Sequence, residues 1–265
     1  MSFKNNDDNL DQHFLVDNDI LTTFVKEANL NSTDIVLEIG AGKGNISRLV
    51  APLVKHLYCI EIDKRLEPYL TNIKKDYANV TITYNNILNM ELPVCTKIIT
   101  DLPFSIIEPL MFKLINCHFD ELLMIIGNRY TTSVMNKEMT KLSLLTNSYF
   151  KIDDIMEIPP TAFNPQPRVL SSIVRLTPLE ASKLKDNTYL IFRYLFYFKD
   201  KKVKNALIES LIRASEIRGN KLTQRMSKEL ISKINIPVDI LAKTFETCTN
   251  SELAILFTEV SQINL

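Results

Sequence analysis

Apolar positions in the first half of the chain switch between two periods. Ile20, Leu21, Phe24 and Val25 fall on one side of a helix predicted over 18–29. Strands are predicted near 34–39, 56–61 and 80–84, the first of them reading as buried, alternating with helical segments at 44–54 and 64–77. A strand near 96–100 leads into Asp101-Leu-Pro-Phe104, then a helix through Leu110, Phe112, Leu114 and Ile115. Glu121–Ile126 is a further apolar strand. Strands alternating with helices in this way predict a parallel, doubly wound α/β sheet.

The pattern changes after about residue 140. Two strand-like runs, near 152–158 and 171–176, flank Pro159-Pro-Thr-Ala-Phe-Asn-Pro-Gln-Pro167. Each proline fixes its own φ and lacks an N–H, so this connection is a stiff loop, not a helix. Past Pro178 the chain reads as helical and Lys-rich, with a break at Asn235-Ile-Pro237. The expected division is a sheet domain over 1–180 and a helical domain over 181–265, the boundary falling near 178–186.

Composition narrows the class. At 265 residues and 46% hydrophobic, the chain can fill one large core or two small ones. No apolar run approaches the ~18 residues of a membrane span, and the N-terminus lacks a signal-peptide pattern. Cys59, Cys95, Cys117 and Cys248 are scattered and form no C-x-x-C pair, so they read as reduced thiols of a cytoplasmic protein and not as a zinc site. No metal is expected. Lys+Arg and Asp+Glu are each 31, so net charge does not announce a nucleic-acid binder. Locally, Lys199, Lys201, Lys202 and Lys204 crowd one segment, and Arg213, Arg218, Lys221, Arg225 and Lys228 follow. These form either a solvated helix face or a phosphate-binding face.

Three of the five glycines lie in Val36-Leu-Glu-Ile-Gly40-Ala-Gly42-Lys-Gly44, between a predicted strand and a predicted helix. Glycine is needed where the backbone takes positive φ or a ligand approaches it closely. The spacing is G-x-G-x-G, with Asn45 where a dinucleotide fingerprint has its last glycine. Glu38 precedes the turn, and Glu61 ends the next strand, placed to accept ribose hydroxyls. A pyrophosphate wants bare helix N–H groups and no nearby anion. S-adenosylmethionine carries a sulfonium and an ammonium and no phosphate, so Glu38 favours it over NAD.

Asp101-Leu-Pro-Phe104 stands where a fourth parallel strand ends, at the edge where such sheets bind ligands. The Asp101 side chain and a neighbouring carbonyl can accept both hydrogens of an exocyclic amino group while Phe104 stacks on the base. Phe163, in the proline loop, can supply the opposite wall. The alternative is a strand-ending turn with two core phenylalanines.

Together these segments resemble the KsgA/Erm/Dim family of rRNA adenine N6-dimethyltransferases, and most of all its archaeal and eukaryotic small-subunit branch. The resemblance runs through Asp11-Gln-His-Phe-Leu-Val-Asp17, Val36–Gly44, Ile60-Glu-Ile-Asp63, Asp101–Phe104 and Ile158–Val169, and more weakly into Phe198–Leu207. It implies a seven-stranded, Rossmann-like methyltransferase sheet with a smaller helical RNA-binding domain, RNA lying between them. It implies that Gln12, His13 and Leu15 close over S-adenosylmethionine and that Gly40, Gly42 and Gly44 approach it. Glu38, Glu61, Ile62, Asn86, Ile87 and Asp101 are further cofactor contacts. Asp101, Leu102, Pro103, Phe104 and Phe163 are the catalytic set, and the lysines at 199–204 meet RNA. The implied partner is rRNA in an immature small ribosomal subunit, bound by a monomer.

Three positions depart from the family pattern. Asp101 replaces the usual Asn, Asn85-Asn86 replaces Gly-Asp, and 128–143 lacks the longer Gly-containing loop with its Tyr-Gly-Arg. Asn86 still offers a carbonyl oxygen, at a loss of about 1 kcal/mol for the missing charge. Asp101 accepts both amino hydrogens as Asn does, at the cost of desolvating a carboxylate. Two other readings follow from these departures and from the family's breadth: an RNA-binding assembly factor with weakened catalysis, and an Erm-like enzyme of the large subunit.

Overall fold

The computed structural model describes residues 12–265. Asp11, which opens the first of the family segments, and the start of the 1–180 span lie outside the described residues.

Helix α1 (Asn18–Glu27) begins at Asp17, whose carboxylate accepts hydrogen bonds from the N–H groups of Asp19 and Ile20, and it buries Ile20, Leu21 and Phe24. The alternation that follows is β2 (Ile35–Ile39), α2 (Asn45–Val50), β3 (His56–Glu61), α3 (Glu67–Asp76), β4 (Val80–Tyr84), β5 (Lys97–Asp101), α4 (Phe104–Leu114) and β6 (Glu121–Gly127). The chain continues through α5 (Asn128–Met135), α6 (Lys141–Tyr149), β7 (Phe150–Ile158) and β9 (Ser171–Pro178). The seven strands lie in the order β4-β3-β2-β5-β6-β9-β7. Strands β4 to β6 pair in parallel, and β9 turns the sheet antiparallel against β6. Central strands such as β2 and β6 bury nearly every residue, the signature of a sheet covered on both faces. This is the doubly wound α/β sheet that the periodicity predicts.

A second, two-stranded sheet has no counterpart in the sequence pattern. Strand β1 (Phe14–Leu15) pairs antiparallel with β8 (Phe163–Asn164), setting Leu15 opposite Phe163. Strands of two residues are too short to show a period. The segment 128–143 also does more than shorten a loop: it forms α5, a turn, and the start of α6, capped by the Thr140 hydroxyl. In α5, Tyr130 and Val134 are buried at i, i+4 spacing.

The chain divides into two compact units. One runs to Thr131 and resumes over Asp153–Leu176; the other takes Thr132–Ile152 and Thr177–Leu265. Residues 132–152, which the sequence-based division assigns to the first domain, group with the helical unit. Within that unit the Tyr149 hydroxyl donates to the Arg193 carbonyl and Arg193 donates back to the Ser148 carbonyl, tying α6 to α7 (Asn187–Tyr197). The unit is completed by α8 (Val203–Ile217), α9 (Gln224–Ile231), α10 (Val238–Ala242) and α11 (Asn250–Val260). Its core includes Phe192, Phe196 and Phe245, packed edge to face. The break foreseen at Asn235–Pro237 falls between α9 and α10.

Candidate active site

The sheet reverses its strand order between β2 and β5: β3 and β4 lie on one side of that seam, β6 on the other. A crevice opens at the carboxyl ends of such a pair. Here β2 ends at Ile39 and leads into Gly40, β5 ends in Asp101, and Ile39 stands opposite Thr100. A cavity of about 830 Å³ opens between them, lined from Gln12 through Ser171 by residues of the sheet unit alone.

The glycine turn builds one end. Gly40 has φ +79°, and a Cβ there would come within 2.6 Å of the Leu102 side chain, so only glycine lets the two strand ends approach. Gly42 donates its N–H to Glu61 Oε2 at 2.7 Å, while Glu61 Oε1 accepts from the N–H groups of Ile62 and Asp63 at 2.8 Å. Glu61 thus spans the turn. Gly44 behaves differently from the expectation that groups it with the cofactor contacts: it does not line the cavity. A Cβ on it would run into Ile73 of α3, so it is a packing glycine at the start of α2. Asn45, at the place of the missing third glycine, donates its amide to the Leu15 carbonyl at 2.8 Å and ties β1 to the turn.

Gln12, His13 and Leu15 all line the cavity. Gln12 donates to Asp63 at 3.3 Å, and the His13 ring nitrogen Nδ1 lies 2.8 Å from the Pro165 carbonyl. Glu38 is 2% exposed, and its Oε2 accepts from the Ser47 hydroxyl at 2.5 Å and the Cys59 thiol at 3.5 Å. Burial pushes the Glu38 carboxyl up to about 7 against the pull of those hydrogen bonds. Asn86 accepts from the Leu88 N–H at 2.9 Å, which leaves its carbonyl oxygen a second lone pair. Ile62, half exposed, and Ile87, buried, complete that wall.

The other end is built by Asp101, Leu102, Pro103 and Phe104, with Phe163 also lining the cavity. Desolvation alone pushes the Asp101 carboxyl up to about 7. Phe104 is 56% exposed at the first position of α4, whereas Phe163 is 4% exposed and belongs to the core cluster that holds Leu15 and Ile158. The two phenylalanines therefore differ: one wall is free and the other is set in the fold. Sequence reasoning gave no role to Phe14, Lys43 or Arg168, which also line the cavity. Arg168 carried a signal, since it sits in the same proline loop as Phe163.

The lysines of the basic segment are in the helical unit and are unequal. Lys199 pairs with Glu246 at 2.5 Å and Lys201 with Glu209 at 2.5 Å. Lys202 and Lys204 are exposed and carry no ion pair among the described residues. Arg213 and Arg225 are likewise paired along their own helices, with Glu216 and Glu229.

The donor set fits S-adenosylmethionine. Three acids, Glu38, Glu61 and Asp101, line the cavity, and none forms an ion pair with a lysine or arginine among the described residues. Lys43 instead lies 4.5 Å over the Phe14 ring. Such a cavity suits a cationic ligand and would repel a pyrophosphate. No helix among the described residues is long and apolar enough to cross a membrane.

Comparison with known proteins agrees with this chemistry. The family model "Ribosomal RNA adenine dimethylase" matches residues 3–243. The probable ribosomal RNA small subunit methyltransferase A of Methanococcus aeolicus is 32% identical over 96% of both chains. That of Methanosarcina barkeri is 31% identical over 92% of this chain and 84% of the relative. Among solved structures, a dimethyladenosine transferase from Plasmodium falciparum shares the fold, with TM-score 0.63 at 22% identity over 94% of this chain and 98% of that one. The 23S rRNA methyltransferase ErmE does so at TM-score 0.60, 18% identity, 94% and 100% coverage. With its fold, cavity and sequence in agreement, the chain belongs to the ribosomal RNA adenine dimethylase family, whose enzymes use S-adenosylmethionine.

Proposed function

We propose that the chain methylates N6 of adenine in small-subunit rRNA during ribosome assembly. The observation that carries this reading is the seam between β2 and β5, where an acid-lined cavity meets the Asp101–Phe104 tetrapeptide. Bound there, S-adenosylmethionine supplies a methyl group on a positively charged sulfur. Gly40 and Gly42 admit its amino-acid part, Glu61 and Ile62 take the ribose end, and Asn86 with Ile87 takes the adenine. Glu61 has about one lone-pair site left beyond the three N–H groups it accepts, so it exchanges one of these when it takes a ribose hydroxyl.

The substrate adenine enters between Phe104 and Phe163. Its amino group donates both hydrogens, to the Asp101 carboxylate and the Leu102 carbonyl, which localises the nitrogen lone pair. Pro103 stiffens that acceptor pair. Asp101 also stabilises the positive charge that N6 gains as it takes the methyl. Orientation supplies most of the rate, and no strong base is required.

The helical unit supports a role in gripping rRNA. Lys202 and Lys204 carry no ion pair among the described residues, while Lys199 and Lys201 would have to leave their glutamates to join them. We place the enzyme in the cytoplasm, acting as a monomer on an immature small subunit. Purified protein with labelled S-adenosylmethionine should methylate adenine in such particles, read by mass spectrometry of the rRNA. Cofactor binding without incorporation would sink the proposal.

A further inference from the structure

A cavity that suits a cationic cofactor poses a problem for the RNA. Glu38 and Glu61 line the glycine-turn end of this cavity, and Asp101 lines the end where the target base must enter. A flipped adenosine carries a phosphate on either side of its ribose, and with the base inside the cavity those phosphates stand at its mouth. Without a countercharge there, the acids oppose entry.

The lining contains two permanent cations, Lys43 and Arg168. Lys43 belongs to the glycine turn and lies 4.5 Å over the Phe14 ring and 5.8 Å from the Tyr69 ring centre. Arg168 lies five positions after Phe163 on the same loop. It is exposed, and among the described residues it has no hydrogen bond, ion pair or ring partner. Its backbone is nonetheless held in place. Pro165 and Pro167 precede it, the Pro165 carbonyl is met by the His13 ring, and the Leu170 carbonyl accepts from the Asn128 N–H at 2.9 Å. The chain then enters β9, where Ser171 pairs with Gly127. A guanidinium with no partner, on a fixed backbone beside the wall for the base, has the chemistry to take a phosphate through two parallel N–H donors.

We propose that Arg168 anchors an RNA backbone phosphate next to the target adenosine at the mouth of the cavity. This rests on the methyltransferase reading above. Arg168 is a substrate-binding residue, not a participant in methyl transfer, and it acts before the base is in place.

The test uses the full-length protein, its Arg168→Ala and Arg168→Lys variants, undermethylated small-subunit particles, and a fluorescent single-stranded RNA rich in adenine. For Arg168→Ala, KM for the particle should rise about tenfold, the scale of a lost charge-assisted contact, with kcat within about twofold. The slope of log affinity against log salt for the fluorescent RNA should flatten by about 0.7, one phosphate contact on a single strand. Affinity for S-adenosylmethionine, measured by calorimetry, should match the parent. Arg168→Lys should retain the salt slope and raise KM by only a few-fold, since it keeps the charge and loses the paired donors. An Arg168→Ala protein with the parent's KM and salt slope overturns the inference. So does one that loses cofactor affinity in parallel with RNA affinity, because that is the behaviour of a loop support. Failure of the parent itself to methylate any particle strikes the functional reading instead, and the two failures are told apart by that control.

Discussion

The two ends of the cavity are built on opposite plans. At the glycine turn nearly every polar group is already committed: Glu61 to three backbone N–H groups, Glu38 to Ser47 and Cys59, Asn45 to the Leu15 carbonyl, and Asp63 to Arg65 and Gln12. At the end to which we assign the base, no described residue donates to the Asp101 carboxyl, Phe104 stands 56% exposed, and Arg168 has no partner among the described residues. Folding therefore completes the half to which we assign the cofactor, and its precision is supplied in advance. The base half keeps open valences and bare ring faces, which are satisfied only when a nucleotide arrives. Stability should accordingly be concentrated in the first plan and substrate response in the second.

The two phenylalanines test that division most severely. Phe163 is 4% exposed and packed with Leu15 and Ile158, while Phe104 is largely in solvent. Phe163→Ala should cost about 3–5 kcal/mol of stability, the usual range for a truncated core aromatic. Phe104→Ala should change stability by less than ~0.5 kcal/mol. It should nevertheless lower kcat/KM for RNA by about 10–100-fold, because one base-stacking face is worth roughly 1–3 kcal/mol. Urea melts and steady-state kinetics of both variants separate the two quantities. Equal stability losses would erase the contrast.

The same contrast explains what could be read from the chain. Strands β2, β5 and β6 were legible because buried parallel strands are continuous apolar runs, and edge strand β4 because Val80, Ile82 and Tyr84 alternate with threonines. The G-x-G-x-G turn and Glu61 marked one end of the cavity, since strain and close approach leave a mark in residue type. That mark does not say what is approached: Gly40 faces Leu102 at the cavity, whereas Gly44 faces Ile73 in the core. Strands β1 and β8 left no signal because two residues make no period. The basic segment overstated its free charge, since Lys199 is neutralised by Glu246, distant in sequence. Arg168 was visible only as one residue of a motif; its lack of a partner among the described residues is a fact of three dimensions.

Asp101 sharpens the comparison at the next scale down, through pH. Its carboxyl is lifted from 3.8 to about 7 by desolvation. The folded state therefore binds this proton more tightly than the unfolded chain, and stability falls as pH rises from about 4 through about 7. The full cost stands above pH 7, with a ceiling of about 4 kcal/mol. Water at the cavity mouth reduces it to roughly 1–2 kcal/mol. Asp101→Asn removes the charge and keeps the shape. It should raise stability by that amount at pH 8 and by almost nothing at pH 4, in paired denaturant melts. Glu38 titrates in the same range, but it is present in both proteins and largely cancels from the difference. A gain of the same size at both pH values would mean that desolvation of the carboxylate is not its source.

The smallest effect probes the committed end. Asn86 stands where the family resemblance implies an acid, and its side-chain oxygen already accepts the Leu88 N–H at 2.9 Å. Asn86→Asp keeps that acceptor and adds a charge, so the short turn it caps should change stability by under ~0.5 kcal/mol. If the second lone pair receives the amino group of the cofactor adenine, the charged acceptor should strengthen that bond by about 1 kcal/mol. Calorimetry should then show Kd for S-adenosylmethionine falling about fivefold. Methionine, which lacks the adenine, should bind both proteins alike. An unchanged Kd with an unchanged melt would remove Asn86 from the cofactor contacts. A lower Kd would show that even the half completed by folding leaves one acceptor open for its ligand, and that this chain holds it with a neutral group where a charged one fits.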